Sequence, residues 1–362
     1  MHRRIIVIAS LMNLLMHASM GAEAVDPAQL SAGSIATAEG CQVWPVNPHP
    51  GATASWSGTC ADGHAAGTGI FILRWAETEE RYAGEMRDGR PNGRGSFAPV
   101  SGERYDGEWL DGQANGEGTL VFADGGRYQG AWQKGKATGQ GTLVWQNGSR
   151  YEGQWQENQR SGHGVNTLAS GRRYDGDWSN DKANGRGTLT TETGDRYDGA
   201  WRDGEANGQG IFVWANGDKY EGHWVNDKRT GHGIITFAKG GRYEGEWRDD
   251  KAEGKGVRRW ANGDRFEGEW HGDIRTGRGA ETFANGDMYY GLWLNNLRHG
   301  DGTMKFSNGN RYVGAWKNGM ADGTGTYTFS DGRQFTGPWK DGCLRLRDHV
   351  AISVGAQLDS CH

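Results

Sequence analysis

Aromatic, glycine and charged positions alternate along most of the chain with a fixed period of 23 residues. A clear copy begins with Tyr105-Asp106-Gly107-Glu108-Trp109. Because side chains alternate between the two faces of a strand, residues 105, 107 and 109 share one face and the charged residues 104, 106 and 108 share the other. Gly118, Leu120 and Phe122 then line one face of a second strand. Each copy is therefore predicted to form a β-hairpin.

Turn-forming residues separate the predicted strands. The segment from Asp111 to Gly116 is dense in such residues and predicts a mid-repeat turn. Asp124-Gly125 is a hairpin-turn dipeptide that leads into the next copy. The sequence therefore predicts an all-β fold, an elongated single-layer twisted antiparallel meander of about twelve 23-residue β-hairpin repeats. About 24 strands, spaced roughly 4.8 Å apart, would extend over on the order of 110 Å.

The opening aromatic recurs without insertion or deletion, and a period of this size indicates a repeat architecture. The opening residues are Tyr82, Tyr105, Tyr128, Tyr151, Tyr174, Tyr197, Tyr220, Tyr243, Phe266, Tyr289, Tyr312 and Phe335. Gly follows two residues later in every copy, and Trp follows four residues later in every copy except the first, which has Met86. The composition agrees, since 63 Gly and 17 Trp accompany only 35% hydrophobic residues. Burial is therefore expected to be aromatic and local, between neighbouring repeats.

The pattern Tyr-x-Gly-x-Trp-x-x-Gly-x-x-x-Gly-x-Gly resembles the MORN repeat (membrane occupation and recognition nexus). The resemblance covers the twelve regular copies and a degenerate copy that begins at Trp56. It implies an antiparallel sheet built from hairpins. It also implies a scaffold role, through self-association, binding of a protein partner or, in some members, contact with membrane phospholipids.

The chain is predicted to contain four parts. Residues 1–24 resemble a signal peptide, with basic Arg3 and Arg4, an apolar run from Ile5 to Met16 and an A-x-A cleavage site at residues 22–24. Residues 25–81 form a lead-in and a degenerate capping repeat, residues 82–342 the regular repeats, and residues 343–362 a capping tail. This organisation predicts export through a cleaved signal peptide to the periplasm or the cell exterior. An uncleaved membrane anchor is the alternative.

The charged strand face is interrupted near the end of the repeats. In most other copies an Arg or Lys precedes the aromatic residue and acidic residues follow it, which favours a solvated face of alternating charges over a basic surface for lipid headgroups. Uncharged side chains replace this pattern at Met288, Tyr290, Leu292, Val313 and Ala315. Such a patch is typical of an interface. Sequence drift, or cover by Val350, Ile352 and Val354 of the tail, are the alternatives.

Four copies have Arg in the mid-repeat turn where most others have Ala. These residues are Arg160, Arg229, Arg275 and Arg298. Such a basic turn edge could bind phosphate or carboxylate groups, including those of an anionic phospholipid. The 69-residue spacing from Arg160 to Arg229 to Arg298 favours duplication of a three-repeat block instead.

The four cysteines lie near the two ends of the repeats. Cys41 and Cys60 are at one end, and Cys343 and Cys361 are at the other. An oxidising compartment would favour disulfides. The predicted ribbon holds its ends roughly 100 Å apart, whereas a disulfide needs Cα atoms within about 7 Å. Within one molecule only Cys41–Cys60 and Cys343–Cys361 remain, with free thiols or a metal pair as the alternatives.

Motifs for catalysis, cofactors and metals are missing from the sequence. It contains no H-E-x-x-H, G-x-S-x-G or Walker-type loop. The formal net charge of −5 gives no electrostatic reason to expect nucleic acid as a partner. The sequence therefore predicts a non-catalytic scaffold without cofactors that binds an unknown protein partner or itself. A phospholipid-headgroup binding module is the main alternative, and a glycan hydrolase is a weaker one.

Overall fold

The computed structural model describes residues 33–346 and 349–356. The predicted signal peptide and Cys361 lie outside these residues. Within the described chain all regular structure is β-strand, and no helix is present that could cross a membrane. The strands are β1 (Ile35–Ala36), β2 (Gln42–Val43), β3 (Thr53–Trp56), β4 (Thr59–Ala61), β5 (His64–Trp75), β6 (Thr78–Arg87), β7 (Arg90–Ala98), β8 (Arg104–Leu110), β9 (Gln113–Val121), β10 (Arg127–Gln133), β11 (Lys136–Val144), β12 (Arg150–Gln156), β13 (Gln159–Thr167), β14 (Arg173–Ser179), β15 (Lys182–Thr190), β16 (Arg196–Arg202), β17 (Glu205–Val213), β18 (Lys219–Val225), β19 (Lys228–Thr236), β20 (Gly241–Arg248), β21 (Lys251–Trp260), β22 (Arg265–His271), β23 (Ile274–Thr282), β24 (Met288–Leu294), β25 (Leu297–Lys305), β26 (Arg311–Lys317), β27 (Met320–Thr328), β28 (Gln334–Lys340), β29 (Cys343–Leu346) and β30 (His349–Ser353).

Contacts divide the described chain into two compact units. The first contains residues 33–192 and 201–204, and the second contains residues 193–200 and 205–356. In the first, each strand from β5 to β14 pairs antiparallel with the next along the chain. In the second, each strand from β17 to β29 does the same. The predicted antiparallel meander of hairpins is confirmed.

The core is a ladder of aromatic rings packed against glycine backbone. Tyr128 is fully buried, and its ring occupies the space that a β-carbon at Gly141 would need. Its ring centroid lies 5.1 Å from that of Trp132 and 5.3 Å from that of Trp155 in the next repeat, both edge to face. The Trp155 Nε1 donates a hydrogen bond to the Gly141 carbonyl at 3.1 Å. Each Trp thus joins two repeats, and burial remains local.

The mid-repeat turn is shorter than predicted. Asp111 and Gly112 form it with positive φ values of 48° and 84°, as a two-residue hairpin turn of the primed type requires. Strand β9 begins immediately afterwards, and Ala114 already pairs with Trp109. A bulge between Gly107 and Trp109 takes up the remaining residues. The turn formers at 113–116 therefore lie in a bulged strand, so the prediction of a turn through Gly116 was wrong in extent.

Hydrogen bonds also connect each mid-repeat turn to the preceding repeat. The Gly112 N–H donates to the Pro91 carbonyl at 2.9 Å. In several repeats the second turn residue is Asn or Asp, and its side chain adds another bond. Asn158 Oδ1, for example, accepts from the Ala137 N–H at 2.7 Å. These bonds hold neighbouring hairpins in register at the turn.

Candidate functional site

The outward face of β24 differs in chemistry from the equivalent strands. Most of those strands begin with a basic residue that pairs with an acid two positions later, as Arg150 does with Glu152 at 2.7 Å. On β24, the four outward positions are Met288, Tyr290, Leu292 and Leu294, all of them exposed. Tyr290 is the most accessible of these, with 58% of its surface exposed. The charged face is therefore fully interrupted along this strand.

The apolar surface extends to neighbouring elements. Leu297 pairs directly with Leu294 across the turn and is exposed. Val313 lies in the same row as Tyr290, separated from it by Thr303. We define the β24 patch as Met288, Tyr290, Leu292, Leu294, Leu297 and Val313.

Some residues at the border of the β24 patch also differ from the sequence-based prediction. Ala315, which was predicted to belong to it, is only half-exposed and pairs with Asp301. Ile274, at the start of β23, is exposed and was not predicted. Neither Leu294 nor Leu297 was predicted, although the two-residue spacing from Leu292 could have identified Leu294.

Acidic residues are missing from several successive cross-strand neighbours in the row that runs through Tyr290. Glu267 is its last acidic residue and pairs with Ala280. The following cross-strand neighbours are all uncharged: Ala280, Tyr290, Thr303, Val313, Thr326 and Thr336. Apolar and hydroxyl side chains, alternately half-exposed and exposed, thus continue along this row from β23 to β28.

The described part of the tail does not cover the β24 patch. Ile352 is buried and pairs with Leu344. The Val354 N–H donates to the Gly342 carbonyl at 2.7 Å, and its own carbonyl accepts from Ala321 at 3.2 Å. These two tail residues pack against β27 and β29 instead. The side chain of Val350 lies outside the described residues.

The four turn arginines are directed into the aromatic ladder. Arg160 is 5% exposed, and its guanidinium carbon lies 4.3 Å from the ring centroid of Trp178. Its Nε donates to Asp181 Oδ1 at 2.9 Å and its Nη2 to the Asp181 carbonyl at 2.9 Å. Arg229 repeats this arrangement with Trp247 at 4.4 Å and Asp250 at 3.0 Å.

Arg275 and Arg298 occupy the same layer. Their guanidinium carbons lie 4.3 Å from the Trp293 ring and 4.7 Å from the Trp316 ring. Burial lowers the pKa of Arg298. The exposed basic edge predicted at residues 160, 229, 275 and 298 therefore does not form, because these side chains stack on the next Trp and stabilise the contact between repeats.

One of the two predicted disulfides lies among the described residues. Cys41 and Cys60 are bonded, with their Cα atoms 5.6 Å apart. The bond joins the lead-in to β4, which pairs with β5. Cys343 lies in β29, and its predicted partner Cys361 lies outside the described residues, so that pairing remains a prediction.

Metal-binding geometry is not found in the described chain. No group of three or more His, Cys, Asp or Glu side chains within it could hold a metal ion.

The MORN repeat family model matches eleven segments: residues 82–98, 105–127, 128–150, 151–171, 174–196, 197–219, 220–242, 243–265, 266–288, 289–311 and 312–332. Together they cover most of the chain. The chain belongs to the MORN-repeat family. MORN repeats form repeat scaffolds for protein or membrane interaction. A search of curated proteins found no match to this chain.

Solved structures of low similarity were found as well. The TCP domain of SAS-4 (dCPAP) of Drosophila melanogaster, in complex with a proline-rich motif of Ana2 (dSTIL), is 13% identical with a TM-score of 0.28, and the match covers 43% of this chain and 85% of that one. The TCP10 domain of Danio rerio CPAP, in complex with a STIL peptide, is 10% identical with a TM-score of 0.33, covering 65% and 99%. Similarity at this level does not extend to function.

Proposed function

We propose that this MORN-repeat chain is an exported, non-catalytic scaffold that binds a protein partner, or a second copy of itself, through the β24 patch. The single observation that carries the proposal is the outward face of β24, where residues 288, 290, 292 and 294 are all apolar and exposed. Contiguous apolar surface on a soluble protein commonly marks an interaction site. Its burial in a complex would be favourable by about 25 cal/mol per Å².

Phospholipid binding is the alternative function. The residues considered for it are engaged in contacts within the protein. The four turn arginines are stacked on Trp rings. The outward basic residues of the other repeats mostly lie beside acids, as Arg173 does beside Asp175 at 2.7 Å. Sedimentation with anionic vesicles tests this alternative, and we expect the chain to stay in the supernatant.

Paired substitutions test the proposed function. Tyr290→Glu with Leu292→Glu places two charges in the β24 patch. Gln129→Glu with Ala131→Glu makes the same change at the equivalent positions of β10, where Arg127 opens the strand. Light scattering would measure the mass in solution, and quantitative pull-down would measure the bound proteins.

We expect the β24 variant to lose either self-association or specific partners, and the β10 variant to retain them. If both variants keep the mass and the bound proteins of the wild type, the β24 patch is not the binding surface.

Export is part of the proposal and rests on residues 1–24. Mass spectrometry of the protein from its source cells should show an N-terminus at Val25 in an exported fraction. A chain that retains Met1 and stays inside the cell would contradict export.

A further inference from the structure

Unpaired cations border the β24 patch. Lys305 is the cross-strand neighbour of Met288, and Arg311 is the cross-strand neighbour of Lys305. In most other repeats the basic residue at this position has an acid two residues later, but Val313 stands there instead. Among the described residues, Lys305 and Arg311 have no carboxylate partner, and both are exposed. Where an apolar residue such as Val313 takes the place of the acid found in other repeats, the neighbouring cation at the border of the β24 patch is left without its carboxylate partner.

A further cation lies at the opposite border of the β24 patch. Arg278 pairs with Leu292 from the β23 side, and it is exposed. Two acids lie in this surrounding: Asp301, which pairs with Ala315 on β26, and Glu269, whose Oε1 accepts a hydrogen bond from the Arg278 N–H at 3.2 Å. Lys305 and Arg311 have no such acid beside them among the described residues, and they favour a partner that carries carboxylates beside its apolar side chains.

The hydrogen bonding of β24 restricts the backbone of that partner. β24 pairs with β23 on one side and β25 on the other, so it has no free edge to which a strand could be added. An element placed on this face must satisfy its own backbone, as an α-helix does. The outward residues from Met288 to Leu294 extend over roughly 20 Å, which corresponds to about 14 residues of helix.

We infer that the β24 patch receives an acidic amphipathic helix of a partner protein, about four turns long, with its carboxylates facing Lys305, Arg311 and Arg278. This inference rests on the proposed function and specifies the chemistry of the partner. The apolar stripe of the helix covers Tyr290 and Leu292, and its two acidic flanks lie over the cations on either side of β24.

Two synthetic helical peptides of 14 residues test the inference. Both carry Leu at positions that form one helix face. One has Glu along both flanks of that face, and the other has Lys there. Fluorescence anisotropy would measure their affinity for the whole chain. We expect the Glu peptide to bind at least tenfold more tightly than the Lys peptide. Equal affinities, or no binding of either peptide, would overturn the inference.

A charge-reversal variant distinguishes electrostatic recognition from nonspecific hydrophobic binding. In the Lys305→Glu with Arg311→Glu variant, we expect the preference for the Glu peptide to vanish or reverse. The matched control is Arg127→Glu with Lys134→Glu on β10 and its turn, which should keep the wild-type preference. An unchanged preference in the first variant would refute the proposed recognition by charge.

The remaining outcomes distinguish this inference from the proposed function. If Tyr290→Glu with Leu292→Glu leaves partner recovery and mass unchanged, the proposed function fails. If those substitutions abolish binding of the natural partner but the peptide preference is absent, only the helix inference fails. Pelleting with vesicles of phosphatidylglycerol and phosphatidylcholine that depends on Lys305 and Arg311, without peptide binding, would assign the surface to membranes and overturn the inference.

Discussion

At the scale of single residues, the fold depends on missing β-carbons. A β-carbon on Gly141 would overlap the ring of Tyr128, which is fully buried and cannot move aside. The same relation recurs between Tyr151 and Gly164. The glycines of the repeat are therefore packing positions, and their frequency in strands has a steric cause.

A single alanine substitution tests this steric role. Gly141→Ala should lower the free energy of unfolding by about 1–3 kcal/mol, the usual cost of overpacking. Gln140→Ala, at the exposed neighbouring position, should change it by less than about 0.5 kcal/mol. Urea denaturation would measure both. Equal stabilities for the two variants would show that the Tyr ring does not require the glycine.

A buried turn carboxyl predicts a pH dependence. Asp227 accepts a hydrogen bond from the Ala206 N–H at 2.7 Å, while its Oδ2 has no hydrogen-bond partner among the described residues. Burial raises the pKa of Asp227 to about 6, compared with about 3.9 in an unfolded chain. Because folding favours the neutral carboxyl, the contribution of Asp227 to the free energy of unfolding is fully present below about pH 4. It is lost as the pH rises through 6.

Asparagine should remove this dependence. Asn158 and Asn296 already occupy the equivalent position and accept the same backbone bond, at 2.7 and 2.8 Å. The Asp227→Asn variant should therefore have a higher free energy of unfolding than the wild type at pH 8, by up to about 3 kcal/mol. This difference should disappear near pH 4. Asp111→Asn, at an exposed turn, is the control. A difference that is independent of pH would contradict the assignment.

At the scale of the hairpin, the sequence predicted the strands well because their pattern is local. The alternation from Tyr105 to Trp109 specifies which face is buried without knowledge of any distant residue. The bulge beside Gly107 was not predicted, since the register depends on how the next strand pairs.

The same reason explains the errors at the candidate site. Arg160 was considered as part of a basic turn edge because it replaces the Ala of most other mid-repeat turns. Its partner Asp181 and its stacking ring Trp178 belong to the next repeat, so the contact depends on the packing between repeats. The exposure of Tyr290 was predictable because the alternation of side chains alone places it on the outward face. Ile274 lies beside a turn, where this alternation does not specify which face a side chain occupies.

The Cys41–Cys60 disulfide should stabilise the N-terminal hairpins. It closes a loop with a sequence separation of 19, for which loop entropy gives about 3 kcal/mol. In the Cys41→Ser with Cys60→Ser variant, hydrogen exchange in β4 and β5 should accelerate. Exchange in β17 and β18, in the second unit, should stay as in the wild type. Unchanged protection of β5 would show that β3 and β6 hold this strand without the disulfide.

At the scale of the whole molecule, the repeats supply a uniform surface on which irregular positions can act. Most outward strand positions carry opposite charges close together, and such exposed pairs contribute little to stability. The β24 patch lies within the second unit and disturbs neither its strand pairing nor its aromatic ladder. The chain can therefore keep its fold while this surface is available for a partner.

Site-specific photo-crosslinking in the source cells would show directly whether the β24 patch contacts a partner. A photoreactive amino acid replaces Tyr290 in one variant and Gln129, the equivalent position of β10, in another. We expect a discrete crosslinked product of defined mass from position 290 and none from position 129. Absence of a product at 290, or the same product from both positions, would contradict the assignment of the β24 patch as the binding surface.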